Sequence, residues 1–428
     1  MESRTAVALI RFGLGRRGGE PLPADPAGWL AAQLDAADPG CASASAAEGL
    51  AALYAVRREQ RAGGHPTRTR DLFRADAAAA AALLLETPTP FRERLVWFWA
   101  NHFTVSRRHG GLEALCFPFV QQAIRPHVTG RFSDMLLAVA RHPAMLIYLD
   151  AARSIGPDSP AGLRTHRGLN ENFARECLEL HTLGRDAGYT QADVTAFAAL
   201  FTGWGLGRED AAPGFAYFPR RHQPGAATLM GHTWPDGEAG GVAALRWLGT
   251  HPATCRRLAE KLVRHFVADA PPPETVGHVA SALRAGGGDL RAAALALLDL
   301  PQAWQTDGKL RTPFDYAVAA LRALDLPAER RPDLTAVLAR LGQPWMAAPL
   351  PDGWPDTAAD WADGEMLLRR ADWSSAIAGR ADGVDPMALA QAALGPCLGA
   401  PTALALGRAA SRREALALLL ASPEFQRR

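Results

Sequence analysis

The feature that most constrains this chain is a near-continuous series of segments with helical spacing, each fenced by a capping residue, a Pro or a Gly. Asp25 before Pro26 reads as an N-cap and first helical position, with Trp29, Leu30, Gln33 and Leu34 at helical spacing behind it. Helices are expected over about 71–86, 90–105, 112–126, 130–141, 142–150, 170–183 and 190–202, the last opened by Thr190. More follow over about 241–249, 251–268, 272–285, 289–299 and 312–325, and again near 386–394 and 403–421. Period-two alternation occurs only around 214–233, where GFAYFP and ATLMGHTW flank a Gly/Pro turn. The expected fold is therefore mainly α, a large multi-helix domain with at most that one small hairpin. Residues 56–70 and 151–168 are expected as loops, and 343–385, rich in Trp and Pro, as an irregular segment. No heptad and no fixed-period repeat is present, which disfavours coiled coils and solenoids.

A length of 428 residues suggests more than one unit, and a hydrophobic fraction of 48% suffices for a large core. The formal charge of +2 comes from near-balance and not from a basic tract, so no nucleic-acid partner is expected. The longest apolar run, Ala77–Leu85, is half a bilayer span, so no membrane segment is expected either. The first residues lack a signal-peptide core. Five cysteines are scattered, odd in number and without a CxxC pair, which predicts free thiols and a cytoplasmic protein. Of 46 basic residues only Lys261 and Lys309 are lysine. With abundant Ala, Gly and Pro, that reads as a GC-rich bacterial genome.

The stretch NENFARECLELHTLG, from Asn170 to Gly184, is the richest in chemistry. On an ideal helix, Asn172, Glu176 and Glu179 fall within about 60° of each other, while His181 lies roughly opposite. Apolar residues on several sides predict burial, with the charges inside. Glu171, Arg175 and Glu179 have the spacing of an ion-pair ladder, which would neutralise Glu179. Glu176 has no such local base, and a buried carboxylate needs a metal, a distant Arg or a proton. His102 shares a helical face with Leu95, Phe98 and Trp99. There it is either a satisfied core histidine or a neutral, coordinating one. His222 sits at the turn of the expected hairpin. Thr250 reads as the N-cap of a helix whose Arg256, Arg257, Lys261 and Arg264 form a solvated face. No HExxH, GxSxG, P-loop or glycine-rich nucleotide fingerprint is present.

Several stretches resemble, in order, the bacterial family known as domain of unknown function 1800. They are AVALIRFGLG, FWANHFTVS, HPAMLIYLD, NENFARECLELHTLGRDAGYTQADVTAFAALFTGW, the RHQPG and LMG segment, HPATCRRLAEKLVRHFV, LGQPWMAAPLPDGW and LLLASPEFQRR. The resemblance runs from Ala6 to Arg428 and implies one long helical domain over 1–428, with no agreed activity. Many relatives look exported, whereas this chain begins at the shared region. Two departures stand out. The pattern FWHNHF has Ala100 in place of its first histidine, and the pattern HD…K reads His222, Gln223 and Thr228.

The leading expectation is a metal-dependent oxidoreductase in which His102, Glu176 and either His181 or Glu179 hold a divalent ion, Fe or Mn ahead of Zn. Mixed carboxylate and imidazole ligands with open positions suit oxygen or redox chemistry. His222 would transfer protons and Arg175 would hold an anionic group of a small-molecule or peptide-like substrate. His181 and the two glutamates all serve only if the last turn before Gly184 unwinds or two sites exist. A metal-dependent hydrolase differs only in what the ion activates. A non-catalytic binding module is the remaining alternative, with Trp345, Trp354, Trp361 and Trp373 as its interaction surface.

Overall fold

Capping chemistry starts the helices close to where the sequence marks them. Asp25 accepts a hydrogen bond from Gly28 N ahead of the Pro26–Asp35 helix, and Thr190 and Asp193 form a reciprocal capping box on Gln191–Leu200. One cap differs. The Pro252–Phe266 helix is capped by His251, whose Nδ1 accepts from Ala253 N at 3.2 Å, and not by Thr250. In the computed structural model, which describes residues 1–207, 213–306 and 308–428, helix accounts for 61% of the described residues. That is about twice the usual globular share and makes the fold mainly α.

Strand is confined to two small antiparallel pairs among the described residues, and the pairing is not the one expected. Phe215–Tyr217 pairs back with Trp204–Leu206, while Ala227–Leu229 pairs with His232–Trp234. The second pair closes through Met230 and Gly231, both at positive φ, as a two-residue hairpin turn requires. A two-residue loop brings its flanks together before the longer Gly/Pro turn can, which is why ATL meets HTW and not FAY.

The expected irregular segments also shrink. The helices Ala46–Arg61 and Arg68–Glu86 leave only a short connection inside 56–70. Pro160–Thr165, capped by Ser159, forms a short helix inside 151–168. Within 343–385, Asp363 caps a full helix, Gly364–Ala378, which buries Trp373 and Ile377 one turn apart. Trp345, Trp361 and Trp373 are each no more than 4% exposed, so three of the four tryptophans are core residues and not a surface.

One connected cluster of buried side chains runs from Ala6 to Phe425. At its centre Phe12 meets Phe91 edge-on at 5.6 Å and Phe266 at 5.7 Å. Each such ring contributes about 1.5–3 kcal/mol by leaving water. The contact locks the Pro90–His102 and Pro252–Phe266 helices against the N-terminal segment. All five cysteines are free, and no helix among the described residues is long and apolar enough to cross a membrane.

Candidate functional site

The two helices that meet at Phe91 and Phe266 also wall a cavity of about 260 Å³. Pro90–His102 presents Arg94, Trp97, Phe98, Asn101 and His102, the spacing of a single helical stripe. Pro252–Phe266 presents Lys261, Arg264 and His265. The remaining wall comes from Leu14, from Thr312, Phe314 and Asp315, and from the segment 343–356. Asn101 holds it twice: Nδ2 donates to Trp354 O at 2.9 Å and Oδ1 accepts from Trp354 N at 2.8 Å. Gly353 permits that approach, since it sits at φ +86° and a Cβ there would lie 2.5 Å from Asn101 O.

At one end of the cavity Lys261 Nζ lies 3.0 Å from His102 Nδ1, and His102 Nε2 lies 3.1 Å from His181 O. A carbonyl only accepts, so Nε2 carries the hydrogen and Nδ1 accepts from the lysine. Among the described residues no carboxylate comes within ion-pair distance of Lys261. The residue keeps some exposure through the cavity. Even so, the surrounding protein, helped by Arg257, lowers its pKa to about 7. Burial, then Lys261, holds His102 well below its usual value. Burial, then Lys261 and Arg257, takes His181 down to about 3. Both ring nitrogens of His181 are buried without a hydrogen-bond partner, and its ring centre is 6.2 Å from that of His102.

One helical turn on from Lys261, at His265, an ordered chain of charges begins. His265 Nδ1 lies 2.5 Å from Asp356 Oδ2, and Asp356 Oδ1 receives Arg428 Nη2 at 3.2 Å. Arg428 reaches on to Asp315 at 3.0 Å, and Asp315 also binds Arg94 at 2.7 Å. Burial works to raise Asp315, but Arg428 and Arg94 override it and keep the carboxyl below its usual range. Burial outweighs Asp356 at His265 and lowers the ring to about 4. Lys309 is matched here by Asp269 at 3.0 Å and Asp356 at 3.7 Å.

Of the residues singled out in the sequence, His102 and His181 come together. The turn that brings them is a π-helix, Cys177–His181, following the α-helix Asn172–Glu176, so the unwinding before Gly184 is present. The glutamates do not join them. Glu179 is bound by Arg185 at 3.2 Å and faces Arg175 at 3.9 Å, while Arg175 binds Glu171 at 3.0 Å. This is the ion-pair ladder. Glu176 is half-buried, not enclosed, and burial and Glu179 raise its pKa. Among the described residues no group of three or more His, Cys, Asp or Glu side chains is placed to hold an ion.

His222 and Arg175 do not line the cavity. His222 Nδ1 donates to Thr202 O at 2.8 Å and Nε2 accepts from Gly237 N at 3.0 Å, so the ring stitches one turn to the next. Gln223 bonds Asp158, and Thr228 meets Thr233 across the small hairpin at 3.0 Å. Ala100, in contrast, lines the cavity. Sequence reading missed Lys261, His265 and Asp356. The available signal was composition: in a chain that uses Arg almost everywhere, both lysines stand beside this one site.

The fold and site define a mainly α-helical protein with an internal, charge-lined cavity. The chain belongs to the family described as Protein of unknown function (DUF1800), whose model matches residues 7–427. No curated protein and no solved structure matches it.

Proposed function

We propose that the protein is an enzyme in which the Lys261 amine attacks the carbonyl carbon of a small substrate held in the cavity. The observation that carries this reading is the Lys261–His102 contact in a cavity where, among the described residues, no carboxylate comes within ion-pair distance of the lysine. By accepting one amine hydrogen, His102 Nδ1 fixes the nitrogen and leaves it free to point elsewhere. The lowered pKa adds that a large share of the amine is unprotonated near neutrality. In the step, a C–N bond forms, the carbonyl C–O bond breaks and the oxygen leaves as water, giving an imine. A volume of about 260 Å³, or roughly nine waters at about 30 Å³ each, suits a small molecule. The aromatic walls of Trp97, Phe98 and Trp345 favour an apolar body.

Borohydride reduction in the presence of propanal tests this directly. With only two lysines and the terminal amine to modify, peptide mass assigns the adduct. The adduct is expected at Lys261 in preference to Lys309, and Lys261→Arg should abolish it. No adduct at Lys261 refutes the reading.

A metal-dependent oxidoreductase or hydrolase is supported by one observation, the two unpartnered nitrogens of buried His181 beside His102. A free His181 nitrogen would hold an Fe or Mn ion, with water or substrate completing its shell, and His102 would join it by releasing Lys261 from Nδ1. Elemental analysis of protein purified without added metal is expected to show one equivalent, absent from His181→Gln. Absence from the wild type as well sinks it.

A further inference from the structure

We propose that the His265–Asp356 pair is the proton-transfer base of this site, and that its substrates are aldehydes or ketones bearing a hydrogen on the carbon next to the carbonyl. This rests on the reading of Lys261 as the imine-forming amine and assigns a second step to different residues.

Lys261 and His265 are separated by one helical turn on Pro252–Phe266, and both line the cavity. A substrate joined to Lys261 is thus held beside the imidazole. Asp356 accepts at 2.5 Å from Nδ1, which fixes the tautomer and leaves the Nε2 lone pair as the basic atom. Arg428 Nη1 makes only a long, 3.5 Å hydrogen bond to Nε2, one that the lone pair gives up on taking a substrate proton. Phe98 at 5.2 Å and Phe266 at 4.8 Å hold the ring plane. Asp356 is in turn anchored by Arg428 and Lys309, and against the effect of burial His265, then Arg428 and Lys309, hold its carboxyl below the usual range. An orienting carboxylate, a fixed imidazole and an amine one turn away are the parts that carbon–hydrogen abstraction next to an imine needs.

The step balances without a further reactant. From the imine protonated on nitrogen, Nε2 takes the carbon-bound proton, the C–H electron pair forms a carbon–carbon double bond, and the C=N π pair moves to the Lys261 nitrogen, giving a neutral enamine. Reversal returns a proton to carbon, so in heavy water the substrate acquires deuterium. Asp356 acts through the His265 ring and is a positioning residue.

The experiment follows propanal by proton NMR in deuterated buffer, with borohydride trapping on the same samples. Wild type is expected to exchange the hydrogens next to the carbonyl well above the uncatalysed rate. His265→Gln should lower that rate at least tenfold while the Lys261 adduct still forms. If His265→Gln does not trap, Asp356→Asn, which keeps the imidazole, is expected to slow exchange several-fold with trapping retained. Exchange at the wild-type rate in a variant that traps overturns the proposal and leaves the imine reading standing. Trapping by wild type without exchange does the same. No trapping at all removes both.

Discussion

Asp315 is the residue on which the floor of the cavity depends. It bridges Arg94 and Arg428, both nearly inaccessible to solvent, and without it Arg94 loses its ion-pair partner while Arg428 keeps only Asp356. Asp315→Asn is expected to destabilise the fold by about 3–5 kcal/mol, since breaking a buried pair leaves uncompensated charge. The pH dependence has a definite sign. A carboxyl held below its usual range contributes stability that is complete above about pH 3.9 and is lost as pH falls toward the folded value. Guanidinium denaturation near neutrality checks the size, and a loss under about 1 kcal/mol would contradict the bridging role. At this scale the sequence was readable only in part. His102 was visible because its helical face is apolar. Lys261 was not, because Arg256, Arg264, Arg257, Lys261 and His265 fan across about 180° of one helix at about 100° per residue. One edge of that fan is solvent and the other is cavity, and a list of charges does not show where burial begins.

At the scale of elements, legibility followed how local each signal is. The Asp25–Pro26 start and the Thr190 cap are satisfied within four residues, and both appear as read, with Asp193 completing a box on Thr190. The Gly364–Ala378 helix had an equally local cap in Asp363, but the surrounding Trp and Pro residues masked it. The hairpins failed for a different reason. FAY and ATL both look like strand, and which partner each takes depends on which turn closes first. The π turn at Cys177–His181 lies further out of reach. Its register depends on where His181 finds room beside Phe103, at 5.1 Å, a contact set by a different helix. The projection placing His181 opposite Glu176 assumed α geometry that tertiary packing overrides.

Across the whole molecule, the buried histidines govern acid stability. Burial is the main cause lowering His102, His142, His181 and His265, with His142 and His181 taken to about 3 and His265 to about 4. A lowered folded value means stability that is complete above the unfolded value of about 6.5 and lost as pH falls through the folded values. Each such histidine costs about 1.4 kcal/mol per pH unit inside that window, and the three with stated values together cost about 4. Total stabilities run about 5–15 kcal/mol, so the protein is expected to unfold cooperatively between about pH 6 and pH 4, before most carboxylates protonate. His142 isolates one contribution. Its Nδ1 accepts from Ala144 N at 3.1 Å as the cap of Pro143–Tyr148, while its Nε2 is buried without a partner. His142→Asn keeps a capping acceptor and removes the titrating ring. The variant should be less stable near neutrality, having lost its packing on Phe119. Its stability should nevertheless fall less steeply with acid, by about 1.4 kcal/mol per pH unit. Guanidinium midpoints from about pH 6.5 down to about pH 4 measure both slopes, and parallel lines for wild type and variant would mean that His142 does not stay neutral when buried.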